Sequence, residues 1–302
     1  MRLLKYILLF FVVAVVVASC DEAPKNQDNL GKGTIDISVD ESYQPVIDEQ
    51  LRVFDSSYPD AKINIHYKPE AECFKDYFEN KARIILVTRP LTKGEKEQCD
   101  QQKIYTTSMK LCRDAVAVIV NNSSEDTLLD MNVLKGILTG VYKKKYTVVF
   151  DNQASSIVRF VVDSVLKGAK LGANVFAAKG SRDVVDYVAK NPDAIGFVGL
   201  NYVSDSTDPN NTGTFINTVK VVAMKNDSTG EFLKPYQAWL ALKTYPLYRS
   251  LYYINRESYP GLGTGFANFL VAQRGQLIFK FAHMFPVNAE MIVREAQITN
   301  HK

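Results

Sequence analysis

Histidine and cysteine, the residues most often used as metal ligands and nucleophiles, are scarce in this sequence. The three histidines, His66, His283 and His301, lie far apart, and the four cysteines form no CxxC pair. A structural zinc site needs four such residues at close spacing. We therefore predict no metal site, no cofactor and no histidine-based catalytic set.

The few cysteines leave the disulfide state open. Apart from Cys20, the chain contains Cys73, Cys99 and Cys112. An odd number permits at most one internal disulfide and a spare thiol, and sequence alone does not say which pair forms. Three buried free thiols are an equally good interpretation, because unpaired cysteine packs as a small apolar residue.

The sequence also lacks the motifs of common hydrolases and nucleotide-binding enzymes. It contains no GxSxG, no HExxH and no GxxxxGK[ST], so a hydrolase is the weakest of the functions considered. The glycine-rich residues 261–265 are better explained as a flexible approach to the last helices. The net charge is only +3, and the one dense basic run, residues 143–145, is typical of a solvated turn. We predict a protein that is not an enzyme and does not bind nucleic acid.

The longest apolar run, residues 7–18, has twelve residues and is too short to span a bilayer comfortably. It follows Arg2 and Lys5 and ends in Val-Ala-Ser before Cys20, a pattern typical of a lipobox. We predict a lipoprotein signal peptide at residues 1–19, a lipid on Cys20 that anchors the chain to a bacterial membrane in the cell envelope, and a polar tether at 20–33. An uncleaved anchor helix and ordinary secretion are the alternatives.

Beyond the tether, short apolar strands alternate with amphipathic helices, which indicates an α/β protein with parallel sheets covered by helices. Two crossings of the chain, near residues 113–117 and 217–222, predict two lobes with a cleft between them: 34–115 with 222–302, and 116–221. Clefts of this kind bind small ligands. Strands are predicted at 34–39, 62–67, 82–87, 115–120, 146–150, 175–178, 194–199 and 220–224. Helices are predicted at 42–55, 70–80, 93–102, 130–138, 156–167, 181–190, 266–274 and 288–297.

Six segments, in the same order, resemble the periplasmic phosphate-binding proteins that serve ABC transporters. They are ISVDESYQP at 37–45, TRPLTKGE at 88–95, DAVAVIVN at 114–121, NPDAIGFVG at 191–199, YPLYRSLY at 245–252 and GQ at 275–276. The resemblance implies a two-lobed periplasmic-binding-protein fold (type II), with two mixed sheets flanked by helices. It also implies a non-enzymatic protein that binds phosphate or another small anion for an ABC permease.

The resemblance further implies that hydroxyl groups at helix starts hold the anion, together with the exposed N–H groups of those helices. The candidate ligand-binding residues are Ser42, Thr88, Ser155, Ser156 and Arg83. For each of the four hydroxyl residues the alternative is simple N-capping of a helix.

The ligand loops depart from the pattern of the family. Where the family has an arginine followed by Gly-Ser-Gly-Thr, this chain has Phe150, Gln153 and Ala154. The aspartate that accepts the proton of hydrogen phosphate falls on Arg83, and the Gly-Ser-Gly after the second strand is replaced by residues 69–72. We therefore expect weak or absent phosphate binding. For Arg83 the alternative is an ion pair with an acidic residue, namely Glu41, Glu70 or Glu72.

Two functional hypotheses follow from these features. The first is a solute-binding lipoprotein of the cell envelope, whose ligand is phosphate or another small anion. The second is a binding-protein scaffold that has lost its solute and serves as a protein-interaction component of an envelope complex. The lost arginine and Gly-Ser-Gly-Thr favour the second hypothesis, whereas the retained hydroxyl residues favour the first.

Overall fold

The structure, a computed structural model, describes residues 28–205 and 214–289. The predicted signal peptide, the lipid-bearing Cys20 and most of the predicted tether lie outside these residues, as does most of the helix predicted at 288–297. In the described part of the chain, no helix combines the length and apolar character needed to cross a membrane.

The first sheet has the strand order β2-β1-β3-β12-β4. β1 (Gly33–Asp40) is parallel to β2 (Ala61–Lys68) and to β3 (Ile84–Val87). β12 (Tyr248–Asn255) is antiparallel to β3 and to β4 (Thr107–Val120). β1 ends in four consecutive buried residues, as expected for a strand covered on both faces. The parallel strands β1, β2 and β3 all have their carboxyl ends at the same end of this sheet.

The strand β4 has fourteen residues and continues from the first sheet into the second. There it pairs with β8 (Ala194–Gly199), and the order of the second sheet is β4-β8-β6-β7. β6 (Thr147–Phe150) is parallel to β8 and to β7 (Val175–Ala177), while β9 (Lys220–Val221) adds to β4. The two sheets therefore share one strand, and the carboxyl ends of their parallel strands face each other.

Helices cover both sheets. They are α1 (Gln44–Ser57), α2 (Glu70–Phe78), α3 (Lys93–Gln101), α4 (Met131–Thr139), α5 (Ser156–Val161), α6 (Ser181–Lys190), α7 (Gln237–Leu242), α8 (Leu262–Val271) and α9 (Gln273–Phe281). A 3-10 turn, Glu41–Tyr43, precedes α1, and a π-helical turn, Val162–Leu166, continues α5. The remaining strands are β5 (Leu128–Leu129), β10 (Ala223–Lys225), β11 (Phe232–Leu233) and β13 (Phe285–Pro286).

Each sheet has its own hydrophobic core. The first sheet packs against α1 and α8, with Phe54 and Phe266 in edge-to-face contact at 5.2 Å between ring centroids. In the second core, Phe150 and Phe197 stack at 4.7 Å. Apolar burial of this kind contributes about 25 cal/mol per Å². Three buried free thiols complete the interior, as one of the two alternatives predicted: Cys73, Cys99 and Cys112.

The predicted α/β architecture of helix-flanked mixed sheets is confirmed, and two local predictions are corrected. Ser42 does not cap α1. It lies in the 3-10 turn before that helix, and its N–H donates to the Asp40 carboxylate at 2.9 Å. Thr88 does not stand at a helix start either, because α3 begins at Lys93 and is capped by Thr92. Both hydroxyl groups are therefore held by the strand ends that precede them.

The chain returns to the first sheet later than predicted. Met224, Leu233 and Leu240 all pack in the core of the second sheet. The chain rejoins the strands of the first sheet at β12, which begins at Tyr248. The point of return therefore lies near residue 247 rather than 222, while the division into lobes as such remains a prediction.

Candidate ligand cleft between the two sheets

Polar residues follow the strand ends where the two sheets face each other. Ser42 and Thr88 come after β1 and β3, and residues 151–156 come after β6. The carboxyl ends of parallel strands are where α/β proteins place their ligands. The sheets approach closely here, since a Cβ atom on Gly199 would come within 2.9 Å of the carbonyl oxygen of Ser42. Glycine at this position lets the two sides of the cleft meet.

Arg249 joins the two sheets at this cleft. Its guanidinium donates three hydrogen bonds of 2.9 Å, to Oδ2 of Asp114 and to the hydroxyl oxygens of Ser42 and Ser156. It also lies 4.9 Å from the ring centroid of Tyr43, a favourable cation–π distance. Arg249 is only 4% exposed. Two of the predicted hydroxyl groups are thus brought together by a cation of the protein itself.

Thr88, the third predicted hydroxyl residue, is engaged by Glu70 and Arg159. Oε1 of Glu70 accepts the backbone N–H of Thr88 at 2.7 Å and the Thr88 hydroxyl at 2.6 Å. Arg159, on α5, donates from Nε to Oε2 of Glu70 and from Nη2 to Oγ1 of Thr88, each at 2.6 Å. Charge-assisted hydrogen bonds are stronger than neutral ones, so this group forms a second bridge across the cleft.

Ser155, the fourth predicted residue, caps α5. Its hydroxyl oxygen accepts the N–H of Val158 at 3.2 Å, as the capping alternative predicted. The adjacent Asp151 accepts the Ser181 hydroxyl at 3.2 Å and the N–H of Asn152 at 2.9 Å. Ser155 therefore holds the start of α5, and Asp151 holds the loop after β6.

The cleft contains more carboxyl groups than guanidinium groups. Burial, and then the charges of Asp151, Asp40 and Glu72, raise the pKa of Glu41 to about 7. Burial also raises the pKa of Asp40 and of Asp151. The ionisable side chains at the cleft include Asp40, Glu41, Glu70, Asp114, Asp151, Arg159 and Arg249. Within residues 28–205 and 214–289, no group of three or more His, Cys, Asp or Glu residues is arranged to hold a metal ion.

Arg83 lies outside this cleft. It precedes β3, whereas Thr88 follows that strand, and the five residue steps between them span about 16 Å. Nη1 of Arg83 donates to Asp28 at 2.9 Å and to the Tyr259 hydroxyl at 2.7 Å, and it lies 3.4 Å from Glu257. The structure does not bring Arg83 together with the four hydroxyl residues. Its ion-pair partners also differ from the three glutamates predicted, which were Glu41, Glu70 and Glu72.

The residues that organise the cleft were not among the predicted site residues: Arg249, Glu70 and Arg159. One signal for the first was present in the sequence, because side chains alternate between the faces of a strand. Arg249, Leu251 and Tyr253 share the buried face of β12, so this alternation directs the guanidinium inward.

Comparison with known proteins agrees with this fold. A family model described as a PBP superfamily domain matches residues 24–274. The phosphate-binding protein PstS of Staphylococcus aureus (strain USA300) is 23% identical over 227 residues, which are 71% of this chain and 66% of that protein. The PstS protein of Staphylococcus saprophyticus is 21% identical over 269 residues, 85% of this chain and 81% of that protein.

Solved structures show the same architecture. A putative phosphate ABC transporter substrate-binding protein from Clostridium perfringens, with bound phosphate, has a TM-score of 0.71 at 21% identity and covers 85% of this chain and 100% of its own. An ABC-type phosphate transport receptor from Vibrio cholerae has a TM-score of 0.65 at 17% identity, covering 83% and 99% of the two chains. The resemblance predicted from the sequence is confirmed: this chain is similar to PstS phosphate-binding proteins, and it belongs to the PBP superfamily.

Proposed function

We propose that this chain is an extracytoplasmic solute-binding lipoprotein, anchored through a lipid on Cys20, that takes a small anion in the cleft and presents it to an ABC permease. The observation that carries the proposal is the position of Ser42, Ser156 and Thr88. These side chains come from both sheets and lie at one cleft, where they accept hydrogen bonds from Arg249 and Arg159. The names of the PstS relatives support an anionic solute.

The charges of the cleft favour an anion of low charge over phosphate. Asp151, Asp40 and Glu72 lie close enough to Glu41 to add to the effect of burial and raise its pKa. At an effective dielectric constant of 20, a like charge 4 Å away costs about 4 kcal/mol. The repulsion energy is about twice as large for a dianion such as hydrogen phosphate as for a monoanion. A monoanion is therefore the better solute.

A thermal-shift screen of the mature protein tests this function. We expect a small monoanion, with formate, acetate and larger carboxylates as probes, to raise the melting temperature in a saturable manner. Sodium chloride at equal ionic strength is the control for screening of surface charge. The proposal is contradicted if none of the anions gives a response beyond that of chloride.

The second candidate is a scaffold that has lost solute binding and serves in an envelope complex. It is favoured by one observation, that the protein's own groups bridge the cleft through Arg249 and through the Glu70–Arg159 ion pair. Small-angle X-ray scattering separates the two candidates. A solute-binding protein changes its radius of gyration as the cleft opens and closes, whereas a bridged scaffold keeps one value with and without anions.

A further inference from the structure

The carboxylate of Glu70 has the surroundings of a bound ligand. Three donors converge on it: the N–H of Thr88, the hydroxyl of Thr88 and Nε of Arg159, at 2.6 to 2.7 Å. Each of its two oxygens has its own partners, with Oε1 on Thr88 and Oε2 on Arg159. The Glu70 side chain is only 4% exposed. This set of donors matches a planar group with two oxygens.

The two sides of this donor set come from different sheets. Thr88 follows β3 in the first sheet, while Arg159 lies on α5, which packs on the second sheet through Ile157 and Val161. The Arg159 side chain is 35% exposed, and its Nη1 lies 3.4 Å from the Asp163 carboxylate, so this side of the donor set borders solvent. Glu70 is the first residue of α2, and its carboxylate bonds to Thr88 and Arg159 rather than to the N–H groups of its own helix. The carboxylate can therefore leave by rotating its side chain, with the helix in place.

We propose that Glu70 is an internal ligand: its carboxylate occupies an oxyanion site made by Thr88 and Arg159, and a carboxylate of the external solute displaces it. This inference rests on the proposed function in so far as the cleft takes a solute. It adds the chemical class of that solute and the residue with which the solute competes. In the structure, the Glu70 side chain occupies this oxyanion site and bridges the cleft.

A monocarboxylate fits this site better than a tetrahedral dianion. The site already holds one carboxylate, whose two oxygens satisfy all three donors. Arg159 also donates from Nη2 to Oγ1 of Thr88, so this nitrogen of the guanidinium already has a partner. Asp40 is near enough to Glu70 for the two charges to repel, and a second negative charge on the ligand increases that repulsion.

Glu257 provides a matched control within the same chain. Its carboxylate accepts the N–H of Gly263 at 2.9 Å, the N–H of Thr264 at 2.7 Å and the Thr264 hydroxyl at 2.8 Å. This donor set resembles that of Glu70, but it lies at the start of α8, away from the cleft, and the Glu257 side chain is 0% exposed. Glu257 thus has the bonding of Glu70 without its position between the sheets.

The test is a titration with sodium acetate of four proteins: the wild type, Glu70→Ala, Glu70→Ala with Arg159→Met, and Glu257→Ala. Thermal stability is measured against sodium chloride at equal ionic strength. We expect Glu70→Ala to bind acetate about tenfold more tightly than the wild type or better, since acetate no longer competes with an internal carboxylate. The double variant is expected to lose this gain, and Glu257→Ala to show none.

Three results overturn the inference: a folded Glu70→Ala that responds to acetate as the wild type does, a double variant that keeps the gain, or an equal gain in Glu257→Ala. If Glu70→Ala does not fold, Glu70→Asp decides by the same titration. The aspartate side chain is one methylene shorter, so the Glu70→Asp variant is expected to bind formate more tightly than the wild type does. Equal affinity of the two proteins contradicts the inference. If the wild type binds no solute, the proposed function is contradicted. The inference about Glu70 is still tested, because the gain in affinity is measured in the variants.

Discussion

Arg249 and Asp114 form a buried ion pair at the junction of the two sheets, with Nε and Oδ2 separated by 2.9 Å and both side chains at most 2% exposed. Asp114 lies on β4, the strand that the two sheets share, and Arg249 lies beside it on β12. The remaining donors of the guanidinium reach one serine on each side of the cleft. The carboxylate thus fixes the cation that holds the sheets together.

Replacing Arg249 by methionine is expected to destabilise the protein by about 3–5 kcal/mol, because it leaves the Asp114 carboxylate buried and unpaired. The free energy of unfolding is measured by urea titration at pH 7. Arg52→Met is the matched control, since Arg52 pairs with Glu49 at the surface, where the side chains are 69% and 45% exposed. A surface pair contributes about 0–1 kcal/mol. Equal losses in the two variants contradict the role assigned to Arg249.

Stability is expected to fall as the pH rises from about 4.5 to about 7. Burial and neighbouring carboxylates raise the pKa of Glu41 from 4.5 to about 7, so the folded state binds this proton more tightly than the unfolded chain does. The contribution is complete below pH 4.5 and is lost as the pH passes 7. Burial raises the pKa of Asp40 in the same direction.

Urea titrations across this range test that pH dependence, with Glu41→Gln as the diagnostic variant. The amide has no proton to lose, so the slope of stability against pH is expected to become flatter. Asp28 does not interfere: burial alone would raise its pKa, but hydrogen bonds from Arg83 and Tyr259 outweigh burial and lower it to about 2. Its contribution disappears only in stronger acid. An unchanged slope in Glu41→Gln contradicts the assignment.

The order of strands and helices was predictable because each element has a clear period in its own sequence. The strand at 194–199 and the helix at 181–190 were predicted with their observed bounds. β4 was predicted only from residue 115, although it begins at Thr107. Its first residues are exposed and polar, and pairing with β12 keeps them in the sheet. Such tertiary pairing has no local signal.

The cleft was predictable in part. Ser42, Thr88 and Ser156 do lie there, because the strand ends that carry them are set by the fold. Arg83 lies at the other end of β3, and nothing in the sequence indicated this, because a charge in a sequence does not show which end of the sheet it will reach. The bridging contacts also join residues far apart in the chain, since 207 positions separate Arg249 from Ser42 and 89 separate Arg159 from Glu70.

Replacement of Cys20 by alanine is expected to leave the precursor without lipid, because the thiol is the atom that accepts the diacylglycerol. Metabolic labelling with a radioactive fatty acid, followed by detergent phase partition, measures both the lipid and its effect on location. Cys73→Ala is the control, since that thiol is buried within the folded chain. Retention of label and of membrane association in the Cys20 variant contradicts the predicted anchor.

We propose that the protein's own charges occupy the cleft, so that phosphate is not its preferred anion. Isothermal titration calorimetry of the wild-type protein with phosphate at pH 7 tests it most directly. Glu70 bonds to Thr88, both serines hold Arg249, and buried carboxylates lie nearby. We therefore expect no binding, or a dissociation constant of about 1 mM or weaker, which corresponds to a binding free energy no more favourable than about −4 kcal/mol. A dissociation constant of about 1 μM or tighter, near −8 kcal/mol, contradicts the account.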